Sequence, residues 1–114
     1  MSRRYGARWR ASLYQQKNCP VARTLDLIGE RWTLLVVREL LLRGPRRFQD
    51  LQDALPTLAP NTLSARLKAL VENGLVSRKT YSEHPPRLLY ELTERGQSLR
   101  PIMKALRDWG ERHT

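Results

Sequence analysis

The sequence predicts a mainly helical chain carrying one small antiparallel β-hairpin, an α+β class, and three observations point there. Apolar residues recur at helical spacing in five separate segments between residues 20 and 109. In only one stretch, Leu88, Tyr90 and Leu92, do they alternate with the two-residue period of a strand. Proline or glycine marks most of the joints between segments. A length of 114 residues with 40% hydrophobic content suits a single folded domain whose core is modest enough that association with a second copy could add much of the buried surface.

The elements follow in order. Pro20 is suited to the first position of a helix, because its missing N–H costs nothing there, and Cys19 falls at the cap. Val21, Leu25 and Ile28 then share one face, and Gly29 interrupts. A second, more apolar helix is predicted over residues 30–42, with Trp32, Leu35, Val36 and Leu40. It has so few polar positions that it belongs in the middle of the core. Arg43-Gly44-Pro45 stops it. A third helix is expected over 47–54, with Phe48, Leu51 and Leu55 as its apolar stripe. Pro56 disfavours helical geometry at Leu55. After a short turn over 56–59, Pro60 opens a fourth helix running to about residue 73, with Leu63, Leu67 and Leu70 facing inward. Asn73-Gly74 ends it, since Gly74 is free to take the left-handed conformation. Strands are expected over 75–81 and 87–92. Thr93 caps a last helix lined by Leu99, Ile102, Met103, Leu106 and Trp109, within which Pro101 must kink or restart the chain. That last stripe asks for a partner surface or for a place in the core.

The charge narrows the function. The formal net charge is +10 and the sequence pI is about 10.8, which favours a polyanionic partner, most commonly nucleic acid, over a merely solvated basic surface. Residues 1–18 hold Arg3, Arg4, Arg8, Arg10 and Lys17 and no acidic residue. They read as a basic arm preceding a domain over 19–114. The densest apolar run, Leu34 to Val37, is far too short for a membrane span, and no apolar stretch follows the arginines at the start, so a signal peptide is not expected. A single cysteine excludes a disulfide within the chain, and a cytoplasmic setting fits.

Helix three, a tight turn, helix four and a hairpin follow one another in the order of a winged helix-turn-helix. A helix fits the major groove and reads base edges from its N-terminal exposed face. With Leu63, Leu67 and Leu70 inward, the outward positions near and beyond Pro60 are Asn61, Thr62, Ser64, Ala65, Arg66 and Lys68. Asn and Arg can each make paired hydrogen bonds to a base, and Ser and Thr can bond base or phosphate. A solvated helix face would carry similar residues. The hairpin adds weight: two prolines stiffen its tip and lower the entropy lost on docking, while Arg78, Lys79, His84 and Arg87 surround it as candidate phosphate or minor-groove contacts. Glu83 is expected to point away. Arg46 and Arg47 are further phosphate candidates or, equally, a charged solvent corner.

These residues together resemble the HxlR-type winged-helix transcriptional regulators of bacteria. The resemblance spans residues 19–113 and rests on Cys19-Pro20, the step Ile28-Gly29-Glu30-Arg31-Trp32-Thr33, Gly44-Pro45-Arg46-Arg47-Phe48, Leu63-Ser64-Ala65-Arg66-Leu67, Pro85-Pro86-Arg87 followed by Tyr90-Glu91-Leu92-Thr93, and the late Trp109-Gly110. It implies a bacterial, nucleoid-associated homodimer paired through its first and last helices, with two recognition helices facing successive major grooves of a near-palindromic double-stranded operator. It also implies that Cys19 stands where relatives often carry a sensor of electrophiles or oxidants. The chemistry is reasonable, because a helix N-terminus favours a thiolate and Lys17 and Arg23 add positive charge. An inert capping cysteine is the plainer alternative.

Nothing points to an enzyme. No nucleophile–base pair and no phosphate-cradling glycine loop is visible, His84 and His113 lack metal-site spacing, and no cofactor is implied. Trp32 and Trp109 read as core or dimer packing, and Asp50 and Asp53 as a solvated face. Two functions therefore stand open: a sequence-specific regulator and a non-specific architectural nucleic-acid binder explained by charge alone.

Overall fold

The structure, a computed structural model, describes residues 19–114; the basic arm predicted over residues 1–18 lies outside the described residues. The elements are α1 (Pro20–Ile28), α2 (Thr33–Arg43), α3 (Phe48–Ala54), α4 (Pro60–Glu72), β1 (Val76–Glu83), β2 (Pro86–Leu92), α5 (Glu94–Gln97) and α6 (Arg100–His113).

Local chemistry sets the boundaries. Proline occupies the first turn of α1, α4 and α6, where a missing N–H is harmless. Gly74 ends α4 with φ of 73°, a left-handed conformation that costs other residues dearly. The segment after Thr93 restarts at Pro101, as the sequence suggested, so the predicted last helix is two: the single turn α5 and the long α6. Thr93 holds that joint, its Oγ1 accepting from the Gly96 N–H at 3.0 Å and donating to the Gly74 carbonyl at 2.7 Å.

Boundaries differ from expectation at the second helix and along the hairpin. The second helix begins at Thr33, not at residue 30, because the Glu30 carboxylate folds forward as a cap. Its Oε1 accepts from the amides of Trp32 (2.8 Å) and Thr33 (3.2 Å), the second of which also donates to the Glu30 carbonyl at 3.0 Å. The first strand runs from 76 to 83, and the second starts at 86. The hairpin is longer than predicted, with its turn at His84-Pro85, joined by a cis peptide bond.

The core is built around α2, which packs against α3, α4, α6 and β2. Val36, Val37 and Leu40 of α2 meet Leu51 and Leu55, the inner stripe Leu63, Leu67 and Leu70 of α4, and Val76, Tyr90 and Leu92 of the hairpin. Leu58, which the sequence places in a turn, is also fully buried. Gln52 explains it: its side-chain amide donates to the Leu58 carbonyl at 2.6 Å and folds that turn onto the core. Arg46 and Tyr90 exchange backbone hydrogen bonds (2.9 and 2.8 Å), so a third extended segment flanks β2. None of the described helices is long and apolar enough to cross a membrane.

Candidate nucleic-acid interface

Helix α4 has two opposed faces. Leu63, Leu67 and Leu70 are buried, while Asn61, Ser64, Ala65 and Lys68 are exposed. The exposed four follow i, i+3, i+4, i+7 and form one stripe. Pro60 is exposed at the start. Thr62 and Arg66, grouped with them from sequence, sit on a half-buried flank. Arg66 is turned toward the α1–α2 joint, its Nη1 lying 4.0 Å from Glu30 Oε1 with its side chain 29% exposed.

The hairpin cations divide by strand geometry. Successive side chains alternate faces. Arg78, paired with Tyr90 across the ladder, shares the face whose base packs on the core, while Lys79 projects from the other. Lys79 is engaged there by Glu91, Nζ to Oε1 2.5 Å. Arg78 and Arg87 are exposed, and neither they nor Lys68 has an ion-pair partner among the described residues. His84 is exposed at the tip, next to Glu83, which pairs with Pro86.

Arg46 and Arg47 have structural work. Arg46 is mostly covered: its guanidinium lies 3.9 Å from the buried Glu39 carboxylate and 3.8 Å from Asp50, and it donates to the Asp50 carbonyl at 3.3 Å. Arg47 stands at the cap of α3. It grips Asp50 through Nε (3.0 Å) and Nη2 (2.6 Å), while Asp50 also accepts from the Arg47 main-chain N–H at 3.0 Å. These bonds hold the Asp50 carboxyl well below the usual carboxylate range. The same pairing raises Arg47. Asp50 is thus a helix cap and not the plain solvated residue expected. Of the sequence-predicted cations, those left available to phosphate are Lys68, Arg78, Arg87 and, by exposure, His84.

Cys19 is half-buried at the N-cap of α1, with no side-chain capping bond; its carbonyl accepts from the Arg23 N–H at 3.0 Å. The rest of that helix shows an exposed apolar face, and so does the last helix, whose stripe the sequence left open between core and partner surface. Val21 is 67% exposed, and opposite it on α6 Leu106 is 50% and Trp109 61% exposed. A groove of about 470 Å³ runs between the two helices, lined by Val21, Leu25, Ile28, Leu34, Ile102 and Leu106 among others. Trp32 packs against the core edge under the Arg31 guanidinium, 5.4 Å from its ring. His113 packs on Trp109 with ring centres 4.7 Å apart. Among the described residues no group of three or more His, Cys, Asp or Glu is placed to hold a metal ion.

Glu30, which caps α2 and lies beside Arg66, was not singled out from the sequence. Its signal was an acidic side chain two and three residues ahead of the first amides of α2, the spacing of a cap.

The family model described as HxlR-like helix-turn-helix matches residues 27–114. The HTH-type transcriptional regulator sll1512 of Synechocystis is 40% identical over 100 residues, which cover 84% of this chain and 73% of that protein. Two solved structures share the fold. The reduced form of the transcriptional regulator YodB from B. subtilis is 31% identical with a TM-score of 0.71, covering 83% of this chain and 93% of that one. The redox regulator HypR in its oxidised form is 35% identical with a TM-score of 0.74, covering 84% and 98%. With its helix–turn–helix, its hairpin and the exposed stripe on α4, this chain belongs to the HxlR-like helix-turn-helix family of DNA-binding transcriptional regulators.

Proposed function

We propose that this regulator acts as a homodimer on a near-palindromic double-stranded operator, and that modification of Cys19 gates it. The observation that carries the DNA-reading part is the exposed stripe Asn61, Ser64, Ala65 and Lys68 on α4, on the same molecule as the uncommitted wing cations Arg78 and Arg87. In this reading α4 enters the major groove, Asn61 and Ser64 meet base edges, and Lys68, Arg78, Arg87 and His84 neutralise phosphates. The chain performs no catalytic step and works on nucleoid DNA in the bacterial cytoplasm.

Dimerisation is supported by the open apolar faces of α1 and α6, since exposed contiguous apolar surface marks an interaction site. Two copies related by a two-fold axis would present their α4 helices to half-sites about one helical turn apart. The gate is supported by the place of Cys19 at the head of α1, half of that apolar face, and by the likeness to HypR and YodB. A quinone is a suitable electrophile: the Cys19 sulfur would add to a ring carbon, an S–C bond would form, and the ring would take up the electron pair and a proton. The added bulk at the start of α1 would disturb the dimer seam and, through it, the spacing of the recognition helices.

The net charge of +10 favours a second reading, a non-specific architectural binder. One titration separates them. The protein is titrated against DNA from upstream of its own gene and against random DNA at fixed salt, before and after quinone treatment, alongside Cys19→Ser. Preference for the upstream DNA, lost on treatment and retained in Cys19→Ser, is the expected result. Preference untouched by treatment removes the gate and keeps the regulator, whereas equal affinity for both DNAs supports the architectural reading.

A further inference from the structure

Arg66 stands in the middle of the recognition helix, yet its guanidinium does not lie in the exposed stripe. Its side chain is 29% exposed, its Nε is buried without a hydrogen-bond partner, and its Nη1 lies 4.0 Å from Glu30. Glu30 is itself fixed. The same Oε1 that faces Arg66 accepts from the amides of Trp32 and Thr33 and stands 3.4 Å from the Thr33 hydroxyl. The carboxylate is therefore held by the first turn of α2, immediately after the joint that ends α1 at Ile28. A charge fixed by backbone amides gives a long, rotamer-rich arginine one preferred direction at little further entropic cost.

We propose that Glu30 is a positioning residue for DNA recognition: it holds Arg66 against the α1–α2 joint, withholds one positive charge from general phosphate contact, and makes the direction of Arg66 depend on where α1 ends. The inference rests on the DNA-reading function proposed for α4. It gives movement of α1 a physical route to the DNA surface, because the Glu30 carboxylate travels with the joint while Arg66 travels with α4. Release of Arg66 adds a mobile cation to the recognition face. Binding to any DNA then strengthens, while discrimination between sequences falls.

The test is a double-mutant cycle on DNA binding. Glu30→Gln keeps an oxygen that can accept from Trp32 and Thr33 but removes the charge that faces Arg66. Wild type, Glu30→Gln, Arg66→Ala and the double variant are titrated, across a salt series, against a site enriched by the wild-type protein from a random DNA pool and against random DNA. Thermal melts check that all four fold. In the wild-type background Glu30→Gln is expected to raise affinity for random DNA by about two- to fivefold, the range of a partly exposed ion pair. It should also steepen the dependence of log K on log salt by about one phosphate contact and narrow the preference for the enriched site. In the Arg66→Ala background all three effects should vanish. Equal effects in both backgrounds would show that Glu30 acts only through the general field of its charge, and no effect in either would show that it only caps α2; each overturns the proposal. Failure of the wild type to enrich any site is a separate result, and it removes the DNA-reading function on which the proposal rests.

Discussion

Asn61 and Lys68 lie on one exposed stripe of α4 but are expected to behave differently under substitution. Asn61→Ala should cost about 1–3 kcal/mol on the preferred site and relax base preference at one position, as loss of a base-edge contact does. Lys68→Ala should weaken binding to all sequences alike and lower the salt slope by about one, with the melting temperature unchanged. Arg46 offers the contrast. The sequence left it either a phosphate contact or part of a charged solvent corner; in the fold it lies 3.9 Å from the buried Glu39 carboxylate and donates to the Asp50 carbonyl. Arg46→Ala should leave the salt slope almost unchanged and destabilise the fold by about 1–3 kcal/mol, the usual cost of stripping a partner from a buried polar group; paired melts and salt titrations read the two effects apart. Asp50 lies three and four residues beyond Arg47 and Arg46, so that pairing was open to a local reading, whereas the contact of Arg46 with Glu39 is made only on folding. Asp50 supplies a pH test. Its hydrogen bonds to Arg47 depress its folded pKa below the unfolded value of about 3.9. The stability it contributes is therefore complete above about pH 4 and is lost as the pH falls further toward the depressed folded value. The melting-temperature gap between wild type and Asp50→Asn should be constant from about pH 5 upward and should shrink on acidification below about pH 4.

At the scale of elements, the joint after β2 shows what sequence does and does not disclose. Thr93 as a cap and Pro101 as a restart were legible, since both act on their own or adjacent backbone. That Gly96 must be a glycine was not: a Cβ there would overlap the Leu75 carbonyl oxygen and crowd the Leu92 side chain, a contact made only when α5 docks on the start of the hairpin. Gly96→Ala should therefore destabilise by about 1–3 kcal/mol, although alanine is the better helix former, and urea unfolding would measure it. The same division holds along the chain. The starts of α1 and α4, the stop at Gly74 and the inner stripe Leu63, Leu67 and Leu70 follow from spacing and from proline and glycine chemistry. The burial of Leu58 and the extended segment at Arg46 beside Tyr90 each depend on a side chain, or a strand, arriving from elsewhere to satisfy backbone groups, whereas the late start of α2 at Thr33 turns on Glu30, only two and three residues ahead.

On the scale of the whole molecule, one chain leaves apolar surface on α1 and α6 that its own core does not use. The sequence showed the stripe but not its exposure, because periodicity reports a face without saying what covers it. If a second copy covers it, Leu106→Glu should give a folded monomer by analytical ultracentrifugation whose operator affinity falls by at least the contribution of the second half-site, with helical content retained. The hairpin and the polar helix face were legible from local spacing, and the family from the resemblance of its motifs; the placing of Arg46 against the buried Glu39 was not. The central claim is that two copies of this chain read a symmetric DNA sequence. It is tested most directly by selecting bound fragments from a random double-stranded pool at fixed salt and sequencing them. Enrichment of one near-palindromic motif with half-sites about one helical turn apart is expected. A selected pool indistinguishable from the starting pool would contradict it and leave charge alone as the basis of binding.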